Sequence, residues 1–238
     1  MTESYVCIDL ETTGLDPKRD KIIEIGVVKM ECNKVVREWE TYVNPHRKLE
    51  ERITELTGIN DEQLLAAPSI EEVLPDLFEI LGNDVLLGHG ILFDYSFLKK
   101  AAVDHKMAFE RSGIDTLKIA RKYLADLESR RLGYLCGYYG ICHSAHRALG
   151  DARATVKLYQ KLSEAFYEKA QAEEEPNPFR PKPLCYRVKR DTPLTVSQKE
   201  QLYKLMDRHK LVLDMDIAKL TRSEASRQID RLLAVYGR

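Results

Sequence analysis

Apolar residues fall into short runs along the first ninety residues, and polar turns separate the runs. The runs predict β-strands near residues 5–11, 21–30, 38–43 and 84–88. The first three strands follow one another too closely for a helical crossover, so we expect them to pair antiparallel. Farther along, strands alternate with helices, which favours parallel pairing there.

Apolar positions spaced by three and four residues predict helices between and after these strands. The predicted helices cover residues 70–81, 94–106, 115–126 and 149–171, and two more follow at 195–208 and 223–235. These elements predict an α/β fold in which helices flank a mixed β-sheet. The last two helices are expected to form a small, separate C-terminal module.

A change of composition separates the two parts. Five of the nine prolines lie between residues 176 and 193, which is typical of an extended, semi-rigid connector. We therefore predict a main domain over residues 1–172, a proline-rich linker over 173–193 and a small basic helical module over 194–238. Because so short a module has a small core, docking is expected to stabilise it.

Charge is distributed unevenly along the chain. Residues 1–175 carry 23 Lys and Arg against 31 Asp and Glu, whereas residues 176–238 carry 14 against 7. A basic tail beside an acidic domain could hold a nucleic-acid backbone. The same cations could instead form a solvated helix face or pair with the acidic domain, and the sequence leaves these alternatives open.

Composition excludes several classes of protein. The 238 residues are 44% hydrophobic, yet no apolar run is long enough to span a bilayer, and no secretory leader follows Met1. The five cysteines are odd in number and scattered, unlike a disulfide framework. We expect a cytoplasmic protein with reduced thiols and no membrane partner.

Two carboxylates stand out on the first predicted strand. Asp9 and Glu11 are separated by two positions, so their side chains point to the same face of the strand. Two neighbouring like charges repel each other, and hard oxygen ligands suit Mg²⁺ or Mn²⁺. The pair is therefore a candidate site for a metal ion. The alternative is that both carboxylates lie on a strand face exposed to solvent.

Further chemical groups follow at two places. Asp94 comes after the apolar strand near 84–88, where it could serve a metal site or simply cap a helix. His146 precedes Asp151 by five residues, which places the histidine in a loop or first turn and the carboxylate inside the helix. Asp151 could therefore face a site above the sheet.

The residues around His146 are also close enough in sequence to suggest a zinc site. The cysteines and histidines at 136, 142, 143 and 146 have the spacing C-x5-C-H-x2-H, which matches no common structural zinc pattern. We expect Cys136 to pack as a small apolar residue and His143 to be a solvated loop residue.

The carboxylates and His146, taken with their flanking segments, resemble the histidine branch of the DEDD 3′→5′ exonucleases. The likeness is strongest to the proofreading exonuclease domains of Gram-positive replicative DNA polymerases and to the epsilon-type proofreading subunit. It extends from Tyr5 to Phe166 and includes the segments 9–15, 22–27, 42–45, 56–59, 67–68, 93–94, 115–116, 139–141 and 146–152. The resemblance implies a ribonuclease-H-like fold.

The resemblance also implies roles for the catalytic residues. Asp9 is expected to bridge two divalent ions, Mg²⁺ or Mn²⁺, while Glu11 and Asp151 hold the ion that carries the attacking water. Asp94 corresponds to the ligand of the second ion, and His146 to the general base, whose ordinary pKa near neutrality suits that role. Two such ions clamp the attacking and leaving oxygens of a phosphodiester.

Substrate contacts are implied in the same way. They involve residues after the first strand and around the third carboxylate, namely Thr12, Thr13, Gly14, Leu15, His89 and Phe93. The expected substrate is the single-stranded or frayed 3′ end of DNA in proofreading or repair. A DNA polymerase, or another replication or repair protein, is the implied partner.

One departure and two alternatives remain. In the motif that here covers residues 89–94, family members commonly carry Asn where this chain has Gly90. The change removes a side-chain amide that could bind substrate, but it removes no metal ligand. An RNA-trimming 3′→5′ exoribonuclease shares the same motifs, and a non-catalytic nucleic-acid-binding or tethering module would share the fold.

Overall fold

A computed structural model describes residues 4–143, 145–173, 176–188, 192–213 and 215–237. Within these ranges, six strands form one sheet in the order β3-β2-β1-β4-β5-β6. The strands are β1 Ser4–Thr12, β2 Ile22–Glu31, β3 Lys34–Tyr42, β4 Val85–Gly88, β5 Ser112–Asp115 and β6 Lys182–Pro183.

Strand directions agree with the prediction of a mixed sheet. β2 pairs antiparallel with both β1 and β3, whereas β1, β4 and β5 run parallel to one another. β6 is a two-residue antiparallel edge strand beside β5. The sequence pattern did not predict β5 or β6, because strands of four and two residues are too short to show a periodic signal.

Nine α-helices surround the sheet in the described part of the chain. They are α1 Glu51–Thr57, α2 Asp61–Leu65, α3 Ile70–Leu81, α4 Leu92–Asp104, α5 Thr116–Tyr123, α6 Leu132–Tyr139, α7 Ala148–Ala172, α8 Val196–His209 and α9 Arg222–Tyr236. The six predicted helices are confirmed within a few residues. The short helices α1, α2 and α6 were missed.

β1 separates two hydrophobic clusters and so determines where its carboxylates lie. Val6, Ile8 and Leu10 belong to the cluster under α3 and α4. Tyr5 and Cys7 belong to the cluster under α5, α6 and α7. Because strand side chains alternate, Asp9 and Glu11 continue the second row and emerge on the α7 side where the apolar contacts end.

The proline-rich segment predicted as a linker is partly built into the main domain. Phe179 is 3% exposed and packs in the α7-side cluster, while Leu184 packs in the cluster on the other face. Asn177 donates a hydrogen bond to the carbonyl oxygen of Ala170 at 3.0 Å. Residues 177–184 therefore pack on the main domain through Phe179, Leu184 and β6, whereas the prediction treated them only as a connector.

The helices α8 and α9 have a small hydrophobic cluster of their own, which includes Leu202, Leu205 and Ile229. Glu224 on α9 pairs with Lys21 of the main domain at 3.2 Å. A cavity of about 620 Å³ lies beside this contact, between the residue 17–21 loop, α4 and the C-terminal residues. None of the described helices is both long and apolar enough to cross a membrane.

Candidate active site

Three predicted metal ligands meet on the α7 side of the sheet. Asp9 and Glu11 project from the end of β1, and Asp151 projects from the first turn of α7. One carboxylate oxygen of each lies within 4.8 Å of the others. The alternative of a solvated strand face is thus wrong, because both strand carboxylates are half-buried against a third.

Asp94 joins the same site from the opposite direction. α4 begins at Leu92, so Asp94 lies inside its first turn and is not the helix cap that the sequence left open. Its Oδ1 accepts a hydrogen bond at 3.1 Å from the backbone N–H of Leu10, the residue between the two strand carboxylates. Asp94 is itself buried, at 5% exposure.

The concentration of carboxylates shifts their pKa values upward. Burial, with the repulsion of Asp151 added, raises the pKa of Glu11 to about 8. Burial likewise raises the pKa of Asp94 to about 8. The pKa of Asp9 is raised well above its usual range by burial and by repulsion from Asp94, Asp151 and Glu11. These carboxylates are therefore costly to ionise together without a cation.

The start of α7 is anchored by a buried carboxylate on the neighbouring strand. Glu24 on β2 is 2% exposed and accepts hydrogen bonds from Arg147 Nε at 3.1 Å and from the backbone N–H of Ala148 at 3.0 Å. Gly26 allows the close approach, since an added Cβ would lie 2.2 Å from the carbonyl carbon of Ala148. This contact sets the position of Asp151 over the sheet.

Sequence reasoning missed the role of Glu24 and Arg147. The available signal was a charged residue inside the apolar run of β2, Ile22–Glu31, where a buried carboxylate requires a partner. The partner is 123 residues away along the chain, so only the fold identifies it.

Of the two histidines in the loop before α7, His146 lies in the loop as predicted, whereas His143 departs from its prediction. His146, the predicted base, is exposed and has a left-handed backbone, with φ of 63°. The His143 side chain is only 11% exposed, and its Nε2 contacts Oδ1 of Asp151. The expectation that His143 is a solvated loop residue is therefore wrong, because the loop folds it against the carboxylate cluster.

The loop after β1 is held by its own polar residues. The Thr13 hydroxyl contacts Arg47 and accepts a hydrogen bond from the backbone N–H of Lys21 at 3.0 Å. Gly14 lets the Asp20 side chain approach closely, since its Oδ2 would lie 2.4 Å from an added Cβ and would have to shift. Among the predicted substrate-binding residues of this loop, Leu15 is the most accessible at 84% exposure, whereas Thr12 and Thr13 are buried.

His89 and Phe93, two of the predicted substrate contacts, already contact other residues of the protein. His89 Nε2 lies 2.8 Å from the carbonyl oxygen of Arg130, and its Nδ1 lies 2.9 Å from the Thr116 hydroxyl. Burial lowers the pKa of His89 and so favours the neutral ring. Phe93 is half-buried and packs on Phe97 with ring centroids 5.0 Å apart.

Gly90 has a φ of 91°, a conformation that side chains rarely adopt. Its backbone N–H donates a hydrogen bond at 2.9 Å to Asp115, which also caps α5 through the N–H of Leu117. An added Cβ would meet only Leu117 Cδ2, at 3.8 Å. The space that a larger residue would occupy is therefore open in this chain.

The described residues do not form a zinc centre around the cysteines. Cys136 is buried in the α7-side cluster, as predicted, and Cys142 is exposed. Among the described residues, only Asp9, Glu11 and Asp151 bring three ligand groups together. An all-oxygen set of this kind fits a hard divalent cation such as Mg²⁺ or Mn²⁺, and Asp94 lies beside it as a fourth carboxylate.

The family described as exonuclease (RNase_T) matches residues 6–159, a range that contains all four carboxylates and both histidines.

Two curated proteins are similar over the same range. The PolC-type DNA polymerase III of Caldanaerobacter subterraneus subsp. tengcongensis is 40% identical over 166 residues, which cover 69% of this chain and 12% of that protein. The DNA polymerase III subunit epsilon of Aquifex aeolicus is 33% identical over 168 residues, which cover 70% of this chain and 83% of that protein. The chain thus spans about an eighth of the PolC-type relatives.

A solved structure supports the fold independently. The nuclease domain of 3′hExo, a DEDDh family member bound to rAMP, superposes with a TM-score of 0.62 and 20% identity over 76% of this chain and 96% of that domain. At this level of identity the likeness establishes the ribonuclease-H-like exonuclease fold.

Proposed function

This chain belongs to the exonuclease family, and from that membership we propose that it is a metal-dependent 3′→5′ exonuclease acting on DNA. The observation that carries the proposal is the meeting of Asp9, Glu11 and Asp151 within 4.8 Å, with Asp94 held beside them. Buried carboxylates with raised pKa values need positive charge to be ionised together, and two divalent ions would supply it.

We assign the ligands from the family resemblance and from the grouping of the carboxylates. Asp9 would be shared by both ions, while Glu11 and Asp151 would complete one ion site and Asp94 the other. Bound Mg²⁺ or Mn²⁺ would lower the pKa of the attacking water and neutralise charge on the phosphoryl oxygens. The protein's own contribution would be to hold four carboxylates near the end of β1, where a 3′-terminal phosphodiester would bind.

His146 is the proposed general base, although its side chain is exposed in this structure. Catalytic hydrogen bonds are often formed only when substrate is bound, so exposure in the free protein does not exclude the role. The loop before α7 would have to turn His146 toward the attacking water. The proposed reaction releases a 5′-nucleotide.

The proposed substrate is a single-stranded or frayed 3′ end in DNA proofreading or repair, in a cytoplasmic setting. The similarity to a PolC-type polymerase and to an epsilon subunit supports DNA and a polymerase or other replication protein as partner. Exposed Leu15, beside the site, is the residue that we expect to contact the terminal nucleotide.

Digestion of matched DNA and RNA oligonucleotides tests this function. Single strands labelled at the 5′ end are incubated with the protein and Mg²⁺, Mn²⁺ or EDTA. We expect a ladder that shortens from the 3′ end, loss of all activity in EDTA, and faster digestion of DNA than of RNA. A phosphorothioate at the 3′-terminal linkage should slow the first cleavage.

Asp9→Ala is the matched inactive variant. It should fold and yet release no nucleotide, because removal of the shared carboxylate affects both ion sites. Full activity of the variant, or wild-type activity in EDTA, would contradict the metal assignment. Faster digestion of RNA than of DNA would keep the proposed hydrolysis mechanism but assign RNA as the substrate.

A further inference from the structure

His143 occupies a defined position that its sequence context does not explain. Its Nε2 contacts Oδ1 of Asp151, and the two side chains are 11% and 10% exposed. The ring lies against the first turn of α6, since a Cβ added to Gly133 would be 3.7 Å from its Cε1 and Nδ1. The contact with Asp151 is therefore supported by packing.

The contact determines which ring nitrogen carries hydrogen. When Asp151 is ionised its oxygens only accept, so in that state His143 Nε2 is the donor of this contact. The ring therefore cannot take up a proton at the atom that faces the cluster. This arrangement fits a residue that orients Asp151, and it does not fit a general base acting through Nε2.

Asp151 is held at both oxygens. Its Oδ2 accepts a hydrogen bond at 3.1 Å from the backbone N–H of Arg147, while Oδ1 contacts His143. Each carboxylate oxygen has two lone pairs, so a divalent ion can bind Asp151 while both donors stay in place. Without His143, repulsion from Asp9 and Glu11 would favour side-chain rotamers that turn Asp151 away from the site.

We propose that His143 is a positioning residue that holds Asp151 in the orientation required to ligate a divalent ion. The inference rests on the proposed function, since it takes Asp151 as a metal ligand. Partners that hydrogen-bond to metal ligands commonly change metal affinity by about 10–100-fold when they are removed. Of the two histidines in this loop, His143 then acts on ion binding and His146 on the chemical step.

Calorimetric titration of Mn²⁺ into the full chain, without substrate, tests the proposal directly. His143→Ala should bind Mn²⁺ about 10–100-fold more weakly than wild type. His143→Gln, which offers an amide N–H in a similar position, should recover most of the affinity. His146→Ala is the matched control and should bind Mn²⁺ like wild type. Thermal unfolding followed by circular dichroism verifies that each variant is folded.

Cleavage rates measured across a range of Mn²⁺ concentrations separate positioning from proton transfer. His143→Ala should need more Mn²⁺ for half-maximal rate but approach the wild-type kcat when the ion is saturating. His146→Ala should keep the wild-type ion requirement and lose rate at every concentration.

These measurements distinguish a failure of the His143 role from a failure of the proposed exonuclease function. If wild type and His143→Ala bind Mn²⁺ equally, or if the variant binds more tightly, His143 does not position Asp151 and the inference is overturned. A loss of kcat in His143→Ala that persists at saturating Mn²⁺, with unchanged affinity, would assign base chemistry to His143 and also overturn it. Absence of Mn²⁺ binding by the wild-type chain would instead refute the proposed function.

Discussion

Individual carboxylates at this site are in surroundings that favour their protonated forms. Burial, together with repulsion from Asp151 and other carboxylates, raises the pKa of Glu11 from 4.5 to about 8. The folded protein therefore keeps a proton on Glu11 over a pH range in which the unfolded chain has lost it. Asp94, with a pKa raised to about 8 chiefly by burial, behaves in the same way.

This proton retention predicts how stability depends on pH when metal is removed. Because the folded state binds more protons than the unfolded state between about pH 4.5 and pH 8, the free energy of unfolding should fall as pH rises through that window. Above it, the dependence should level off. Urea unfolding in EDTA at several pH values measures this, and Glu11→Gln should flatten the slope. A stability that rises with pH over the same window would contradict the assigned pKa shifts.

Metal should counteract the same effect. An ion that binds only the folded protein adds to its stability by mass action, and it does so most where the carboxylates are ionised. Added Mg²⁺ should therefore raise the melting temperature more at pH 8 than at pH 6. An equal rise at both pH values would indicate that the ion binds elsewhere.

Among the elements, α7 depends on one buried anchor and one exposed one. Glu24 holds its N-terminus through Arg147 and the N–H of Ala148, whereas Glu38 pairs with Arg153 farther along, at 2.6 Å. Glu24 is 2% exposed at its side chain, but Glu38 is 34% exposed. Equivalent substitutions at these two sites therefore compare a buried partner with a solvated one.

Glu24→Ala should lower the free energy of unfolding by about 1–3 kcal/mol, because it leaves a buried backbone N–H without its acceptor. Glu38→Ala should cost less than about 1 kcal/mol, the usual range for a solvent-exposed ion pair. Urea unfolding of both variants measures the difference. Equal losses of unfolding free energy in the two variants would mean that Glu24 stabilises the start of α7 no more than an exposed ion pair does.

The proline-rich segment is an element of the fold as well as a connection. Phe179 packs among Tyr123, Tyr159 and Tyr167, and the last two of these tyrosines are on α7. Phe179→Ala should lower the free energy of unfolding by about 3–5 kcal/mol, as urea unfolding would measure. Val212→Ala, at a side chain that is 94% exposed, should change it by less than about 0.5 kcal/mol. If Phe179→Ala lowers the free energy of unfolding only slightly, the segment acts as a connector and does not stabilise the main domain.

For the whole molecule, the packing of residues 177–184 on the main domain determines where a truncated variant without the basic tail should end. Residues 192–238 carry 9 Lys and Arg against 6 Asp and Glu, while residues 176–191 carry 5 against 1. Much of the positive charge thus lies in the segment that joins the main domain. A variant ending at residue 191 removes α8 and α9 and leaves β6 in place.

That shortened variant should cleave short oligonucleotides at the wild-type rate, because the proposed catalytic residues all precede its end. It should bind a fluorescent 30-mer more weakly. The slope of log affinity against log salt should become shallower by about 1 for each phosphate that the removed module neutralises. Titrations at several salt concentrations provide the measurement. Identical affinities and slopes would indicate that the module serves docking or a protein partner.

Local information was sufficient for a large part of this protein. The period of two in β1 places Asp9 and Glu11 on one face, and periods of three and four residues predict α3, α4 and α7. The spacing between His146 and Asp151 predicts a loop residue followed by a helical carboxylate, as observed. Such features depend on backbone geometry over a few residues, so neighbouring positions in the sequence contain them.

Tertiary structure alone decided which distant groups meet. The contacts of Glu24 with Arg147, of Asp94 with the Leu10 N–H and of Phe179 with the α7-side cluster join residues far apart in the chain. The same is true of the loop that turns His143 toward Asp151 and leaves His146 exposed, because the ring packs on Gly133 of α6. Local sequence determined the repeating elements and the candidate carboxylates. Their partners depended on long-range packing, which brings segments together only when the whole chain folds.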